Sequence, residues 1–256
     1  MSDYAIYPSL KDMPVIVSGG ASGIGEGVVR AFAEQGSKVG FVDIAHEAGE
    51  KLEAELKAAG RTVMFTRCDI TDVAAYQQAI RGFEAAHGPA LALVNNAAND
   101  TRHTIAEMTP EAWDRGMAVN LKHAFFAVQA VAPGMIAAGR GSIINFGSVS
   151  WMTNTPELTV YTSAKAGAHG MTRSMAREYG KQGIRANTLV PGWIMTERQL
   201  KLWATPEAFA MLEEVQPLKG RLYPDDIARM VLFLAADDSK MISGQDFIVD
   251  GGWAHG

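Results

Sequence analysis

Short apolar runs alternate along the chain with longer stretches in which apolar residues recur every three or four positions. The short runs predict strands at 13–18, 38–44, 62–67, 90–95, 141–147, 184–190 and 246–250. The longer stretches predict helices at 23–35, 46–59, 72–87, about 110–138, 157–181, 205–214 and 224–236. Leu91-Ala92-Leu93-Val94 and Ile143-Ile144-Asn145-Phe146 are nearly continuous in apolar character, the pattern of strands covered on both faces. This regular alternation predicts a single α/β domain over 1–256, with about seven parallel strands and helices on both faces of a doubly wound sheet. Pro133 falls inside the 110–138 period and predicts a kink or break there.

Polar residues gather where the predicted strands end: Asp43, Asp69, Asn95-Asn96, Ser148 and Pro191-Gly192. Open α/β sheets bind ligands beyond the carboxyl ends of their strands. The first strand runs directly into Gly19-Gly20-Ala21-Ser22-Gly23-Ile24-Gly25, and Ile24, Val28, Val29 and Phe32 then recur at helical spacing. Strand, glycine-rich turn and helix form the Rossmann-type context for a dinucleotide. The glycines let the backbone approach a pyrophosphate, and the helix N-terminus offers it free N–H groups. Asp43, at the end of the second strand, can accept hydrogen bonds from the adenosine ribose and repels a 2′-phosphate. No Arg or Lys lies in 18–24 or directly after Asp43, so the pattern predicts NAD over NADP. The plainer role for Asp43 alone is a turn or helix-cap aspartate.

Tyr161 and Lys165 are four residues apart on a predicted helix, with Ser148 thirteen residues upstream of Tyr161. Positions i and i+4 share a helix face. An ammonium one turn from a phenol favours the phenolate, and a phenolate is a general base for an alcohol proton. Taken alone, the pair is more often a half-buried aromatic beside a solvated lysine.

Composition narrows the choices. The chain has 256 residues, a net charge of −5 and scattered basic residues, which speaks against a nucleic-acid footprint. Its one cysteine, Cys68, allows no intrachain disulfide and suits a reducing cytoplasm. His103 has no partner at metal-ligand spacing, so no metal is expected. Met1 to Leu10 shows no basic-then-apolar leader pattern, and no apolar stretch is expected to span a membrane.

Together these motifs resemble the short-chain dehydrogenase/reductase family over essentially the whole chain. The family's Thr-Gly-x-x-x-Gly-Ile-Gly turn reads Ser18-Gly19-Gly20-Ala21-Ser22-Gly23-Ile24-Gly25 here, and its Asn-Asn-Ala-Gly reads Asn95-Asn96-Ala97-Ala98, with alanine for the last glycine. The resemblance implies a catalytic tetrad of Asn120, Ser148, Tyr161 and Lys165. It implies cofactor contacts from Gly19, Ser22, Gly23, Ile24, Gly25, Asp43, Ile44, Asp69, Ile70, Asn95 and Ala97. Further contacts are implied from Tyr161, Lys165, Pro191, Gly192, Ile194 and Thr196. Relatives that prefer NADP often carry arginine at the position of Ser22, which again implies NAD.

A closer resemblance, to bacterial NAD-dependent D-xylose (aldose) 1-dehydrogenases, lies in Ala5-Ile6-Tyr7-Pro8-Ser9-Leu10-Lys11, Asn99-Asp100-Thr101-Arg102-His103, Val131-Ala132-Pro133-Gly134-Met135, Ile144 to Trp151, Thr196 to Gln199 and Leu218-Lys219-Gly220-Arg221. It implies hydride transfer from C1 of an aldose to NAD, giving the lactone. Asn99, Arg102, Ser148, Trp151, Asn154, Tyr161 and Trp193 are the expected substrate residues. The family also implies a homotetramer, built here through helices 110–138 and 157–181 and the tail Ile248 to Trp253. Open alternatives are a dehydrogenase for another polyol, a sugar acid or a 3-oxoacyl compound, a sugar epimerase or dehydratase, and a non-catalytic NAD-binding sensor or scaffold.

Overall fold

The structure, a computed structural model, describes residues 4–255; Met1 to Asp3 of the expected leaderless N-terminus and Gly256 lie outside the described residues. Seven parallel strands form one sheet: β1 (Pro14–Ser18), β2 (Lys38–Asp43), β3 (Val63–Arg67), β4 (Ala92–Asn95), β5 (Gly141–Phe146), β6 (Ile184–Pro191) and β7 (Asp246–Val249). Their order is β3-β2-β1-β4-β5-β6-β7. The order reverses between β1 and β4, where Ser18 stands beside Asn95, so a crevice opens above the carboxyl ends of those two strands.

Helices cover both faces. Helix α1 (Gly23–Glu34) and α9 (Pro224–Ala235) pack on one face, through Val28, Phe32, Ile227 and Val231. Helix α2 (His46–Ala58) adds Leu52 and Leu56 to that side. The other face is covered by α3 (Val73–His87), α5 (His123–Ala138) and α6 (Thr159–Tyr179), through Ile80, Phe83, Val128, Val131 and Met175. Side chains such as Phe32 and Ile144 have no exposed surface. Truncating either to alanine would cost about 2–5 kcal/mol through lost transfer energy and the cavity left behind.

The helical run 110–138 departs from expectation. It is divided into α4 (Pro110–Met117), a π-helical turn at Ala118–Lys122, and α5. No break occurs at Pro133, which lies inside α5. The irregularity falls around Asn120, whose side-chain amide donates to the Gly116 carbonyl at 3.0 Å. Counted through the turn, Pro110–Ala138 is 29 residues long and reaches a mean hydropathy of 1.2, enough by length and composition to cross a membrane, contrary to the sequence expectation. Its buried positions, among them Ala127, Val128, Val131 and Met135, pack in the second core. Two short helices also flank the crevice: α7 (Glu197–Trp203), which periodicity does not predict, and α8 (Pro206–Val215), which it does.

Candidate active site

The carboxyl ends of the strands and α7 and α8 enclose one cleft of about 2310 Å³. Its cofactor end is built from the turn after β1. Gly19 has φ +68°, and a Cβ there would meet Ala97 Cα at 2.9 Å. A Cβ on Gly25 would lie 1.8 Å from the Gly19 carbonyl oxygen, so the α1 N-terminus meets the turn only with glycine there. Ser22 precedes α1 without a side-chain cap, which leaves the N–H groups of its first turn for an anionic group. Ser18 ties the turn to the neighbouring strand: its hydroxyl accepts from Asn96 N–H at 3.1 Å and Ala97 N–H at 3.2 Å. Asn96 answers by donating to the Ser18 and Gly19 carbonyls, both at 3.0 Å.

Asp43 lines the same end. One of its oxygens accepts from Ala21 N–H and the other from Ala45 N–H, both at 3.0 Å, which holds the carboxylate at the β2 tip with lone pairs to spare. Ile44, Asp69 and Ile70 line the cleft with it. So do two cations that the local sequence around Asp43 does not reveal, Arg30 and Lys51. Arg30 is committed to Glu26 and Glu55. This cradle of turn, helix N-terminus and ribose-side carboxylate fits a nicotinamide dinucleotide.

The reacting end gathers the four tetrad residues, all of which line the cleft. Ser148 follows β5, and Tyr161 and Lys165 stand on successive turns of α6. Tyr161 and Ser148 line the cleft together, and the Ser148 hydroxyl favours the phenolate. Burial pushes the Tyr161 phenol up to about 12; the nearby Ser148 hydroxyl pulls it down and the charge of Asp100 pushes it further up. The lowering by Lys165 expected from sequence is absent from this balance. The lysine amine is buried and is itself drawn down to about 8 by desolvation. Its Nζ donates to the Phe146 carbonyl at 2.9 Å and lies 5.5 Å from the Tyr161 ring centre. Asn120, in the π-helical turn, accepts from Asn99 N–H at 2.8 Å and donates to the Asn99 carbonyl at 3.0 Å.

The other expected residues divide. Gly192, Ile194, Thr196 and Pro191 line the cleft, as do Ala97, Asn99, Arg102 and Trp193. Three do not. Asn95 is buried in β4, where its amide donates to Asn145 at 2.8 Å; the alternation of the strand turns its neighbour Asn96 to the cleft instead. Trp151 turns inward, and its indole donates to His169 Nε2 at 3.1 Å. Asn154 is exposed at φ +54° in the loop before α6, while Thr153 and Thr155 on either side line the cleft.

Residues that sequence reasoning missed complete the wall. Trp203 lies under the Arg102 guanidinium, 4.1 Å from its ring centre. Gln199 and Asp100 join the wall as a pair, at 2.7 Å. A polar residue directly after Asn99 was the available signal for Asp100; nothing in the spacing points to Trp203. Behind the site, His123 is fully buried and desolvation draws it down to about 3, so it stays neutral.

A parallel seven-stranded sheet, a glycine cradle at its switch point and a Ser-Tyr-Lys-Asn set in one cleft define a nicotinamide-dependent oxidoreductase of short-chain type. The chain belongs to the short-chain dehydrogenase/reductase family. A family model described as enoyl-(acyl carrier protein) reductase matches residues 19–254. The chain is 47% identical to a D-xylose 1-dehydrogenase of Caulobacter vibrioides over 249 residues, 97% of this chain and 98% of that one. It is 45% identical to a probable galactose dehydrogenase of Rhizobium meliloti, covering 96% of each chain. Among solved structures, a putative gluconate dehydrogenase from Agrobacterium tumefaciens superposes with a TM-score of 0.93 at 27% identity, covering 98% of this chain and all of that one.

Proposed function

We propose that the protein oxidises the C1 hydroxyl of a cyclic aldose, D-xylose or a stereochemically related sugar, with NAD as the partner, and releases the lactone. The observation that carries this reading is the gathering of Asn120, Ser148, Tyr161 and buried Lys165 in one cleft, in a chain whose similar relatives include sugar dehydrogenases.

The cofactor supplies the acceptor for the hydride that leaves C1. Tyr161 takes the proton of the C1 hydroxyl, so the oxygen's electron pair closes the carbonyl as the C1–H bond breaks. Ser148 hydrogen-bonds the same oxygen and stabilises charge that develops on it. Lys165, buried in the same cleft, would hold the hydroxyls of the nicotinamide ribose. Asn120 holds the loop that begins at Asn99 and supports passage of the proton onward to solvent. Trp193, Asn99 and Arg102 form the sugar-facing wall, with the Trp193 ring covering an apolar sugar face. Asp43 selects NAD by accepting from the adenosine ribose and repelling a 2′-phosphate.

The same reading includes a homotetramer. Phe125 and Ile136 on α5 and Trp113 on α4 are large apolar side chains left 39–51% exposed in the single chain. A second copy would cover them. A cytoplasmic setting agrees with a single, buried cysteine. The direct test is a panel of aldoses, aldonic acids, polyols and 3-oxoacyl thioesters with NAD and NADP, followed by the absorbance of the reduced nicotinamide. Turnover of one or two aldoses with NAD supports the reading; turnover confined to the other classes overturns it.

A further inference from the structure

A line of hydrogen bonds runs from the tetrad to α7. Asn120 holds both backbone groups of Asn99. The next residue, Asp100, reaches the other way. One of its oxygens accepts from Arg198 Nε at 3.2 Å and Nη2 at 3.0 Å, and the other from Gln199 Nε2 at 2.7 Å. Gln199 Oε1 in turn accepts the Trp193 indole N–H at 3.0 Å. Trp193 stacks on Phe209 of α8, with ring centres 5.6 Å apart.

Helix α7 needs these contacts. It has seven residues, none of them buried. So short a helix is marginal by itself, and this one has no apolar face committed to the core. The Arg198 arm is half-exposed, and a pair of that kind contributes little. The weight lies on Gln199, which is partly buried and bonded at both ends of its amide.

Resting on the sugar dehydrogenase reading above, the geometry points to Asp100 as a latch, a positioning residue that fixes α7 and Trp193 against the loop held by Asn120 and so forms the sugar-facing wall. The latch acts on sugar binding more than on the chemical step, because Asp100 bonds to Arg198 and Gln199 and not to a tetrad side chain, and its charge shifts only the pH at which Tyr161 ionises.

Three variants test it, each read by hydrogen–deuterium exchange over α7 in the protein alone and by KM and kcat for the preferred sugar. Asp100→Ala removes both acceptors. Gln199→Glu sets one carboxylate against another. Each should speed exchange in α7 and raise the sugar KM about tenfold, with kcat at the plateau of its pH profile changed less than about threefold, as for loss of a charge-assisted hydrogen bond. The double variant Asp100→Asn/Gln199→Glu reverses the donor and acceptor: the new amide donates to the new carboxylate, which still accepts from Trp193, and its oxygen still accepts from Arg198. Exchange and KM should both return toward wild type. Unchanged exchange in the single variants, or a double variant that sums their defects, overturns the latch. If the wild type oxidises no aldose, the sugar reading fails while the exchange measurement still decides the latch.

Discussion

The side chain of Asn120 closes a ring of two hydrogen bonds with the backbone of Asn99, accepting its N–H at 2.8 Å and donating to its carbonyl at 3.0 Å. A π-helical turn makes this possible, since it places Asn120 where two elements meet at the cleft. Asn120→Ala would leave both Asn99 groups without these partners and remove the bond that the Asn120 amide donates to the Gly116 carbonyl. Stability should fall by about 1–3 kcal/mol, the cost of orphaned polar groups. Asn120→Asp keeps the acceptor but sets a buried carboxylate against the Asn99 and Gly116 carbonyls, so its loss should be the larger of the two. Denaturant midpoints for the two variants check the order; equal stability of all three proteins would contradict it.

Tyr161→Phe keeps the ring and removes the hydroxyl that shares the cleft with Ser148. Turnover should fall by about a thousandfold, in the range for loss of a general acid–base group. NAD affinity, read by binding fluorescence, should change little. A variant that retains near-normal turnover would remove Tyr161 from the mechanism.

Burial raises the Tyr161 phenol to about 12, so the phenolate is scarce at neutral pH and grows with each step upward. The oxidation rate should therefore climb as pH rises through the neutral and mildly alkaline range. The charge of Asp100 adds to that shift. Removing the charge with Asp100→Asn lowers the phenol's pKa and should move the rising limb to lower pH. A limb that stays in place would show that Asp100 does not act on Tyr161.

Lys165 is buried, with its amine drawn from the ordinary 10.5 down to about 8. Because the folded value lies below the unfolded one, the burial penalty is full below about pH 8. It fades as pH rises from there to about 10.5. Lys165→Met should therefore stabilise the fold at neutral pH by about 1–3 kcal/mol while turnover collapses. The gain should shrink on the alkaline side. Thermal unfolding against pH reads both; a neutral-pH loss of stability would contradict the account.

The strand ends were the most legible part of the molecule. Short apolar runs locate all seven strands, and the glycine turn after β1 marks the crevice. Direction was harder to read. Trp151 and Asn154 lie close to Ser148 in sequence, yet one turns inward to His169 and the other outward to solvent. Asn95 and Asn96 are adjacent, and only the pleat decides which one reaches the cleft. The break in 110–138 could not be placed, because proline is a visible helix breaker whereas a π-helical turn depends on the tertiary partner of Asn120. Helix α7 was invisible because it is held by Asp100, 98 and 99 residues away along the chain, with no apolar periodicity of its own.

The central claim is that hydride leaves C1 of an aldose. It is tested most directly by incubating the protein with D-xylose deuterated at C1 and NAD, then weighing both products. The account predicts one deuterium on the reduced nicotinamide and an unlabelled lactone. Deuterium retained in the sugar product, with a carbonyl formed at another carbon, would contradict it.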